Sequence, residues 1–128
     1  MRIIGHGIDI VECERIEKIR ADHGQRFLTR IFTAAELDYC LDCKTPGVRL
    51  SGRFAAKEAI MKMLGTGWRG GIAWTDMEIL PDGMGKPHVR LSGCCAAEAE
   101  KLGISDVLIS ISHTSRYATA SAIGVGTD

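Results

Sequence analysis

Residues 48–67 read VRLSGRFAAKEAIMKMLGTG, and this stretch decides the fold. Its apolar residues recur at the spacing of an amphipathic helix, which predicts the longest element of the chain from about Val48 to Leu64. Gly65 suits the left-handed position that ends a helix, so the GTG sequence at 65–67 predicts the stop. At about 100° per residue, one stripe of this helix faces the core and contains Leu50, Phe54, Met61 and Leu64.

Lys57 falls inside that apolar stripe, where a charged side chain requires an explanation. In one interpretation its stem packs on the core while its ammonium group reaches water, and Glu58 and Lys62 form an ordinary ion pair one turn apart. In the other, the residues that face a polar cleft are Arg53, Lys57, Glu58 and Lys62. The cations there would bind phosphate and the carboxylate a metal ion. Helical periodicity leaves both interpretations open.

The remaining segments predict short strands and helices around this long helix. A capping box begins one helix, with Thr33 as N-cap and Glu36 three residues later, and Phe32 and Leu37 form its hydrophobic staple. Elsewhere we expect a strand over 2–11, a short helix over 12–21 and a hairpin with strands at 77–80 and 88–91. A helix that Ser92 and Gly93 open should then run to Leu102, followed by strands over 107–113 and 117–125. This order indicates one α+β domain over residues 1–128, with a small antiparallel sheet packed against the long helix.

Composition limits the kind of protein. The 128 residues carry 16 basic and 16 acidic side chains, so a formal net charge of zero gives no general attraction to nucleic acid or to an anionic membrane. No apolar run approaches the roughly 20 residues that cross a bilayer. The five cysteines come without a secretory signal, from which we expect a cytoplasmic protein. Cys40 and Cys43 have the spacing of half a zinc site, but the adjacent Cys94 and Cys95 do not supply the usual second pair.

Two further residues are candidates for chemistry. Asp9 lies between apolar residues in the GIDI sequence at 7–10, and it either caps the following helix or binds a metal ion. Mg²⁺ takes one or two protein carboxylates, a number that Asp9 and Glu58 together supply. His113 ends a strand among hydroxyl side chains, where it either belongs to a hydrogen-bonded turn or faces a site.

Taken together, these motifs resemble the holo-acyl-carrier-protein synthases of the 4′-phosphopantetheinyl transferase superfamily. The likeness covers nearly the whole chain and follows the order GIDIVE at 7–12, FTAAE at 32–36, GRFAAKEA at 52–59, GTG at 65–67, GKP at 85–87 and SISH at 110–113. The resemblance implies the fold of that family and a magnesium-dependent transfer from coenzyme A. Trp74 departs from the family, which tends to have a smaller aromatic residue there.

The resemblance also implies the parts of a site. Asp9 and Glu58 would bind Mg²⁺, which bridges the pyrophosphate of coenzyme A, while Arg53 and Lys62 would hold the nucleotide and its phosphates. The residues expected to border the coenzyme are Gly65, Thr66, Gly67, Lys86, Pro87 and, from a neighbouring subunit of a homotrimer, His113.

In the implied reaction, a serine hydroxyl of apo-acyl carrier protein attacks the β-phosphate of coenzyme A and 3′,5′-ADP leaves, in support of fatty acid biosynthesis. Glu58, Lys57 or a metal-bound water would take the serine proton, and the sequence does not decide among them. Such carriers are acidic, so the expected docking surface is the basic part of the first helix, with Arg15, Lys18 and Arg20. Two rival interpretations are a related transferase for peptide-synthetase carriers, whose chains resemble two fused copies, and a non-catalytic nucleotide-binding trimer.

Overall fold

The computed structural model describes residues 1–68 and 70–128. In chain order the elements are β1 (Arg2–Glu12), α1 (Cys13–His23), α2 (Gln25–Ile31), α3 (Ala34–Leu41), α4 (Pro46–Leu64), a 3₁₀ turn (Trp74–Asp76), β2 (Met77–Pro81), β3 (Pro87–Leu91), α5 (Gly93–Lys101), β4 (Asp106–His113) and β5 (Tyr117–Gly126). This mixture of helices and small antiparallel sheets confirms the expected α+β class.

A three-stranded antiparallel sheet in the order β1-β5-β4 packs against α4. The contact is close because small residues meet on both sides: β5 presents Ala118, Ala120 and Ala122, all buried, and β1 presents glycines. A Cβ on Gly7 would overlap the carbonyl oxygen of Ala59 in α4. Glycine at this position therefore lets the two backbones approach one another.

The opposite face of this sheet is open and carries several exposed apolar side chains. Ile3, Ile8 and Ile10 of β1 are 68%, 58% and 67% exposed, and Leu108 of β4 is 47% exposed. Ile8 and Ile10 lie on the face away from α4, since they alternate along β1 with the buried Gly7 and Val11. The register places Leu108 on the same face, because it pairs with Ile123, which pairs with His6. An exposed apolar sheet face of this kind is typical of a surface that contacts another protein.

Local signals account for most helix boundaries. The capping box is confirmed, because the amide of Glu36 donates to Thr33 Oγ1 at 3.2 Å and the amide of Thr33 donates to Glu36 Oε1 at 2.9 Å. Helix α4 begins at Pro46, two residues before the predicted start, since proline suits a first helical turn. Gly65 ends the helix in the left-handed conformation, as expected, with φ of 70°. The seven-residue helix α2 is not predicted by the sequence.

The capping interpretation of Asp9 is wrong. Asp9 lies within β1, paired with Ala120, and three more strand residues follow it. Helix α1 has Glu12 as its N-cap, and no side chain caps it with a hydrogen bond. The strand continues to Glu12 because its ladder with β5 runs on to Tyr117, so the carboxylate of Asp9 is available for another role.

Candidate active site

Asp9, Glu58 and Lys62 come together where β1 crosses the C-terminal half of α4. The ammonium of Lys62 donates to Asp9 Oδ1 at 2.9 Å and to the carbonyl oxygen of Ile8 at 3.0 Å. The Asp9 side chain is only 16% exposed, whereas that of Lys62 is 53% exposed. Glu58 lies one turn before Lys62 on the same helix and is half-buried. The site is therefore a shallow polar cleft with two carboxylates and one cation.

The two carboxylates are close enough to affect one another. Burial raises the pKa of Glu58, and the negative charge of Asp9 raises it further, while Lys62 and then Arg15 of α1 act in the opposite direction. A pair of carboxylates that repel each other in a partly buried site is stabilised by a cation between them. Within the described part of the chain there is no cluster of three or more His, Cys, Asp or Glu side chains that could hold a metal ion.

The donor set nevertheless fits Mg²⁺. That ion commonly binds one or two protein carboxylates and completes its octahedral shell with water and substrate phosphate oxygens. Asp9 and Glu58 supply oxygen ligands of this kind, and neither needs a third side chain for such a site. The expected ion pair between Glu58 and Lys62 is not the one that forms. Lys62 pairs with Asp9 instead, because β1 brings that carboxylate within reach.

Lys57 takes no part in this cleft, and both interpretations of it were wrong. Its side chain is fully buried. The ammonium donates to Glu36 Oε1 at 2.7 Å and to the carbonyl oxygens of Ile31 at 2.7 Å and Trp74 at 3.1 Å. Burial lowers the pKa of Lys57 and the carboxylate of Glu36 opposes that change. All three N–H groups of this ammonium have an acceptor, so Lys57 holds α2, α3 and the 3₁₀ turn together in the core. It is not placed to serve as a general base.

Arg53 is also separate from the carboxylates. It lies five residues before Glu58 on α4, which is roughly 7.5 Å along the helix axis and about 140° around it, so the two side chains leave the helix in different directions. Its guanidinium lies over the ring of Tyr39, 4.6 Å from the ring centre, and its Nε donates to the carbonyl oxygen of Ile79 at 3.4 Å. Arg49 lies over the same ring at 4.2 Å and donates to the carbonyl oxygen of Tyr39 at 2.8 Å. Arg53 is buried and Arg49 is half-buried, and in residues 1–68 and 70–128 neither arginine forms an ion pair with a carboxylate.

The contribution of Arg49 and Tyr39 to this cationic group was not predicted from the sequence. The available signal was the spacing of Arg49 and Arg53, four residues apart and hence on one face of α4. Tyr39 carries no such signal, because it reaches the pair only through the packing of α3 against α4.

The other expected site residues lie on loops and strand ends. His113 is exposed at the end of edge strand β4, where the register pairs it with Ala118 and so, across β5, with Val11. Two strand spacings, roughly 10 Å, separate it from β1. Gly65 and Gly67 flank Thr66 in a turn with φ of 70° and 65°. No hydrogen bond joins these residues to the carboxylate pair in the part of the chain that the structure describes.

The hairpin turn and the basic helix complete the predicted set. The turn holding Lys86 and Pro87 is ordered by Asp82, whose Oδ1 accepts from the amide of Lys86 at 2.9 Å. On α1, Arg15 is exposed and close enough to Glu58 to lower its pKa. Lys18 is exposed, and Arg20 donates to Glu17 at 3.3 Å. One end of the basic helix therefore borders the cleft.

An aromatic cavity lined by Trp68 and Trp74 was not predicted. Trp74 stacks on Phe54 with ring centres 5.2 Å apart, and Trp68 contacts Trp74 at 4.4 Å. The two indoles line a cavity of about 490 Å³ together with Arg30, Ile72 and Ala73. A larger groove of about 690 Å³ lies between α1, the start of α4 and the β4–β5 turn, but it includes none of the three cleft residues.

Comparisons with known proteins agree on one family. The family model described as the 4′-phosphopantetheinyl transferase superfamily matches residues 5–120. The chain is 50% identical over 120 residues to a holo-[acyl-carrier-protein] synthase of Protochlamydia amoebophila, covering 94% of this chain and 96% of the relative. It is 48% identical over 125 residues to that of Chlamydia pneumoniae, covering 98% and 99%.

Solved structures give the same result. The holo-[acyl-carrier-protein] synthase of Neisseria meningitidis superposes with a TM-score of 0.88 at 35% identity, covering 97% of this chain and 99% of that one. That of Helicobacter pylori in complex with coenzyme A superposes with a TM-score of 0.82 at 30% identity, covering 94% and 99%.

Proposed function

Because the chain belongs to the 4′-phosphopantetheinyl transferase superfamily, and within it to the holo-acyl-carrier-protein synthases, we propose that its reaction takes place at Asp9, Glu58 and Lys62 with a bound Mg²⁺ ion. The protein transfers 4′-phosphopantetheine from coenzyme A to a serine of apo-acyl carrier protein and releases 3′,5′-ADP. The observation that carries the proposed site is the approach of two carboxylates on β1 and α4 beside a lysine.

The reaction needs positive charge more than covalent chemistry. The serine oxygen forms a bond to the β-phosphorus of coenzyme A, the bond from that phosphorus to the bridging oxygen breaks, and 3′,5′-ADP leaves with the electron pair. Mg²⁺ held by Asp9 and Glu58 would neutralise charge on the diphosphate oxygens. Lys62 adds a second positive charge beside them, where developing negative charge is stabilised.

The serine proton must pass to a base. Lys57 is excluded by its burial and its three acceptors. Within the cleft, Glu58 and a water bound by the metal are the candidates for removing the serine proton.

Replacing the carboxylates one at a time tests the site. Asp9→Asn and Glu58→Gln should each abolish Mg²⁺-dependent transfer to apo carrier, measured by the mass of the carrier, and should leave the unfolding midpoint unchanged. Glu100→Gln, which removes an exposed carboxylate from α5, is the matched control and should transfer normally. Full transfer by either cleft variant at low Mg²⁺ would exclude the proposed metal site. Wild-type protein that binds coenzyme A but transfers nothing would favour the non-catalytic alternative.

The open sheet face supports a homotrimer. Ile3, Ile8, Ile10 and Leu108 expose an apolar surface that a second and third copy would bury. Sedimentation should give three times 13.9 kDa. Ile8→Lys with Ile10→Lys should shift the protein toward the monomer, and a fully active monomer would contradict the proposal.

Active sites between subunits would explain why several expected site residues lie apart from Asp9 and Glu58 within one chain. Arg53, His113, Lys86, Pro87 and the turn at 65–67 are proposed to border the coenzyme, with His113 coming from the neighbouring chain. Mixed trimers of His113→Ala and Asp9→Asn chains should then regain activity that neither variant has alone. No recovery of activity after subunit exchange would mean that one chain supplies both residues to each site, or that His113 is not part of the site.

The basic face of α1 is proposed to dock the carrier. Arg15 is exposed, lies near Glu58, and forms no ion pair within the described residues, whereas Arg20 is partly neutralised by Glu17. Arg15→Glu should raise the KM for the carrier, less at high salt, and should leave the KM for coenzyme A nearly unchanged. Equal effects on both substrates would exclude this role for Arg15, and Lys18→Glu tests the next residue of the face.

The cellular setting follows from the substrate. We propose a cytoplasmic role in modifying the carrier of fatty acid biosynthesis. Within the part of the chain that the structure describes, no helix is long and apolar enough to cross a membrane.

A further inference from the structure

We propose that Cys40 and Cys43 are a redox-sensitive pair of thiols that hydrogen peroxide oxidises to a disulfide, and that this disulfide weakens binding of the nucleotide part of coenzyme A. Formation of the disulfide is independent of the transfer reaction. Its effect on the nucleotide rests on the proposed function, in which Arg53 borders the coenzyme.

The two cysteines lie at the end of α3, where the chain folds back over the last turn of the helix. The Sγ of Cys43 donates to the carbonyl oxygen of Cys40 at 3.4 Å, so the two residues lie within one turn of each other. Side chains one helical turn apart have Cβ atoms roughly 5–6 Å apart. A disulfide needs Cβ atoms roughly 3.5–4.5 Å apart, so a small inward movement of Cys43 closes the bond.

The two thiols differ in their access to solvent. Cys40 is completely buried, whereas Cys43 is half-buried. Burial raises the pKa of Cys40 to about 11, although the guanidinium groups of Arg53 and Arg49 act in the opposite direction. An oxidant in solution therefore reaches Cys43 first, and Cys40 supplies the second thiol.

The oxidation takes two steps. The thiolate of Cys43 attacks one oxygen of hydrogen peroxide, the O–O bond breaks, and Cys43 becomes a sulfenic acid while hydroxide leaves. The sulfur of Cys40 then attacks the sulfenic sulfur, the S–O bond breaks, and the oxygen leaves as water with the thiol proton. In total, two thiols lose two hydrogens and one peroxide gives two water molecules. A thiol reductant reverses the change.

The position of the pair suits a sensor better than a disulfide-exchange catalyst or a metal site. Thiolates activated for rapid exchange commonly lie at a helix N-terminus, where the dipole stabilises them, but Cys40 and Cys43 lie at a C-terminal end. Within residues 1–68 and 70–128 no cluster of three or more potential metal ligands includes them. In reducing compartments, disulfides of this kind are typically transient and redox-sensing.

The connection from α3 to α4 transmits a movement of Cys43 to the long helix. Residues 42–45 are the whole connection between Leu41 and Pro46. The carbonyl oxygen of Thr45 accepts from the amides of Val48 at 3.2 Å and Arg49 at 3.4 Å, which ties the connection to the first turn of α4. An inward shift of Cys43 therefore pulls on that turn.

The same part of α4 carries the two arginines that pack on Tyr39, the neighbour of Cys40. Arg49 donates to the carbonyl oxygen of Tyr39 at 2.8 Å, and the guanidinium groups of Arg49 and Arg53 lie 4.2 Å and 4.6 Å from its ring centre. Movement of the end of α3 against α4 therefore displaces Arg53. Oxidation should lower the affinity for the nucleotide in this way.

Peptide masses test whether the disulfide forms. Tryptic cleavage after Arg30 and Lys44 releases residues 31–44, which contain Cys40 and Cys43 and no other cysteine. Folded protein is treated with hydrogen peroxide, alkylated in urea and digested. This peptide should lose two hydrogens and resist alkylation, and dithiothreitol should reverse both changes. A peptide that instead gains oxygen atoms, or that is alkylated at both cysteines after a dose that oxidises the exposed Cys94, would overturn the proposal.

A binding measurement tests the consequence. The ligand is 3′,5′-ADP with Mg²⁺, because the thiol of coenzyme A would itself reduce the disulfide. Oxidised wild-type protein should bind 3′,5′-ADP about tenfold more weakly in a calorimetric titration, the effect of losing one hydrogen bond to a charged group. Dithiothreitol should restore the affinity.

Two cysteine variants identify the thiol responsible. Cys43→Ser cannot form the disulfide and should bind 3′,5′-ADP equally well before and after peroxide treatment. Cys94→Ser, which removes an exposed cysteine from α5, is the matched control and should respond to peroxide like the wild type. Unchanged affinity of the oxidised wild type, or an equal loss of affinity in Cys43→Ser, would exclude the proposed effect.

Failure of this inference is distinguishable from failure of the proposed function. Reduced wild-type protein that transfers no 4′-phosphopantetheine to apo carrier would remove the proposed function, whatever the mass of the peptide. If the reduced protein transfers normally and the disulfide forms without a change in 3′,5′-ADP affinity, the proposed function stands and the redox inference alone is wrong.

Discussion

Lys57→Met should destabilise the protein by about 4 kcal/mol, because it leaves a carboxylate buried without its counter-charge. Lys57 and Glu36 are both fully buried, and their charged groups are 2.7 Å apart. Methionine has nearly the length of the lysine stem and fills the same space without the charge. The change therefore tests the ion pair and not the packing.

The magnitude follows from the remaining partners. Removing one member of a buried ion pair typically costs about 3–5 kcal/mol. Glu36 would keep two backbone donors, the amides of Thr33 and Ile79, each at 2.9 Å, which favours the lower end. The carbonyls of Ile31 and Trp74 would lose a donor, at roughly 0.5 kcal/mol each, which brings the total from about 3 to about 4 kcal/mol. With a urea slope of roughly 2 kcal/mol/M, the unfolding midpoint should fall by about 2 M.

Urea unfolding at one fixed protein concentration measures the effect, because oligomerisation makes stability depend on concentration. Glu36→Gln and the double variant complete a double-mutant cycle. The two losses should be strongly non-additive, since the double variant no longer buries a lone charge. Lys101→Met, at an exposed lysine, should change stability by less than about 0.5 kcal/mol. A loss below about 1 kcal/mol for Lys57→Met, or an additive cycle, would refute the reasoning.

Two further predictions concern packing and thiol chemistry. Gly7→Ala should cost more than about 2 kcal/mol in urea unfolding, because its Cβ would overlap the backbone carbonyl of Ala59, whereas Gly83→Ala adds a methyl group to open space and should be nearly neutral. In a thiol-modification time course at mildly alkaline pH, Cys94 should react quickly because it is exposed, and its neighbour Cys95 should react only on unfolding, since burial raises its pKa to about 12. Equal reaction rates at the two cysteines of the folded protein would contradict the second prediction.

Helix ends that are set by residues within one turn were predictable from the sequence. Thr33 and Glu36 form their capping box within a single turn, and Gly65 ends α4 by its own conformational freedom. The seven residues of α2 are too few to display a helical period, so the sequence carries little signal for that helix. The length and family motifs of the chain were likewise sufficient to indicate the family, which the comparisons confirm.

By itself, the sequence determined which side chains are chemically exceptional: Asp9 in an apolar strand and Lys57 in an apolar helical stripe. Only the tertiary structure decided their partners. Asp9 meets Lys62 across 53 residues of chain, and Lys57 meets Glu36 across 21, because β1 and α3 pack against different parts of α4. A helical period describes one element at a time and contains no information about which neighbour covers each face. The packing of these elements therefore placed one cation beside the candidate metal ligands and buried the other in the core.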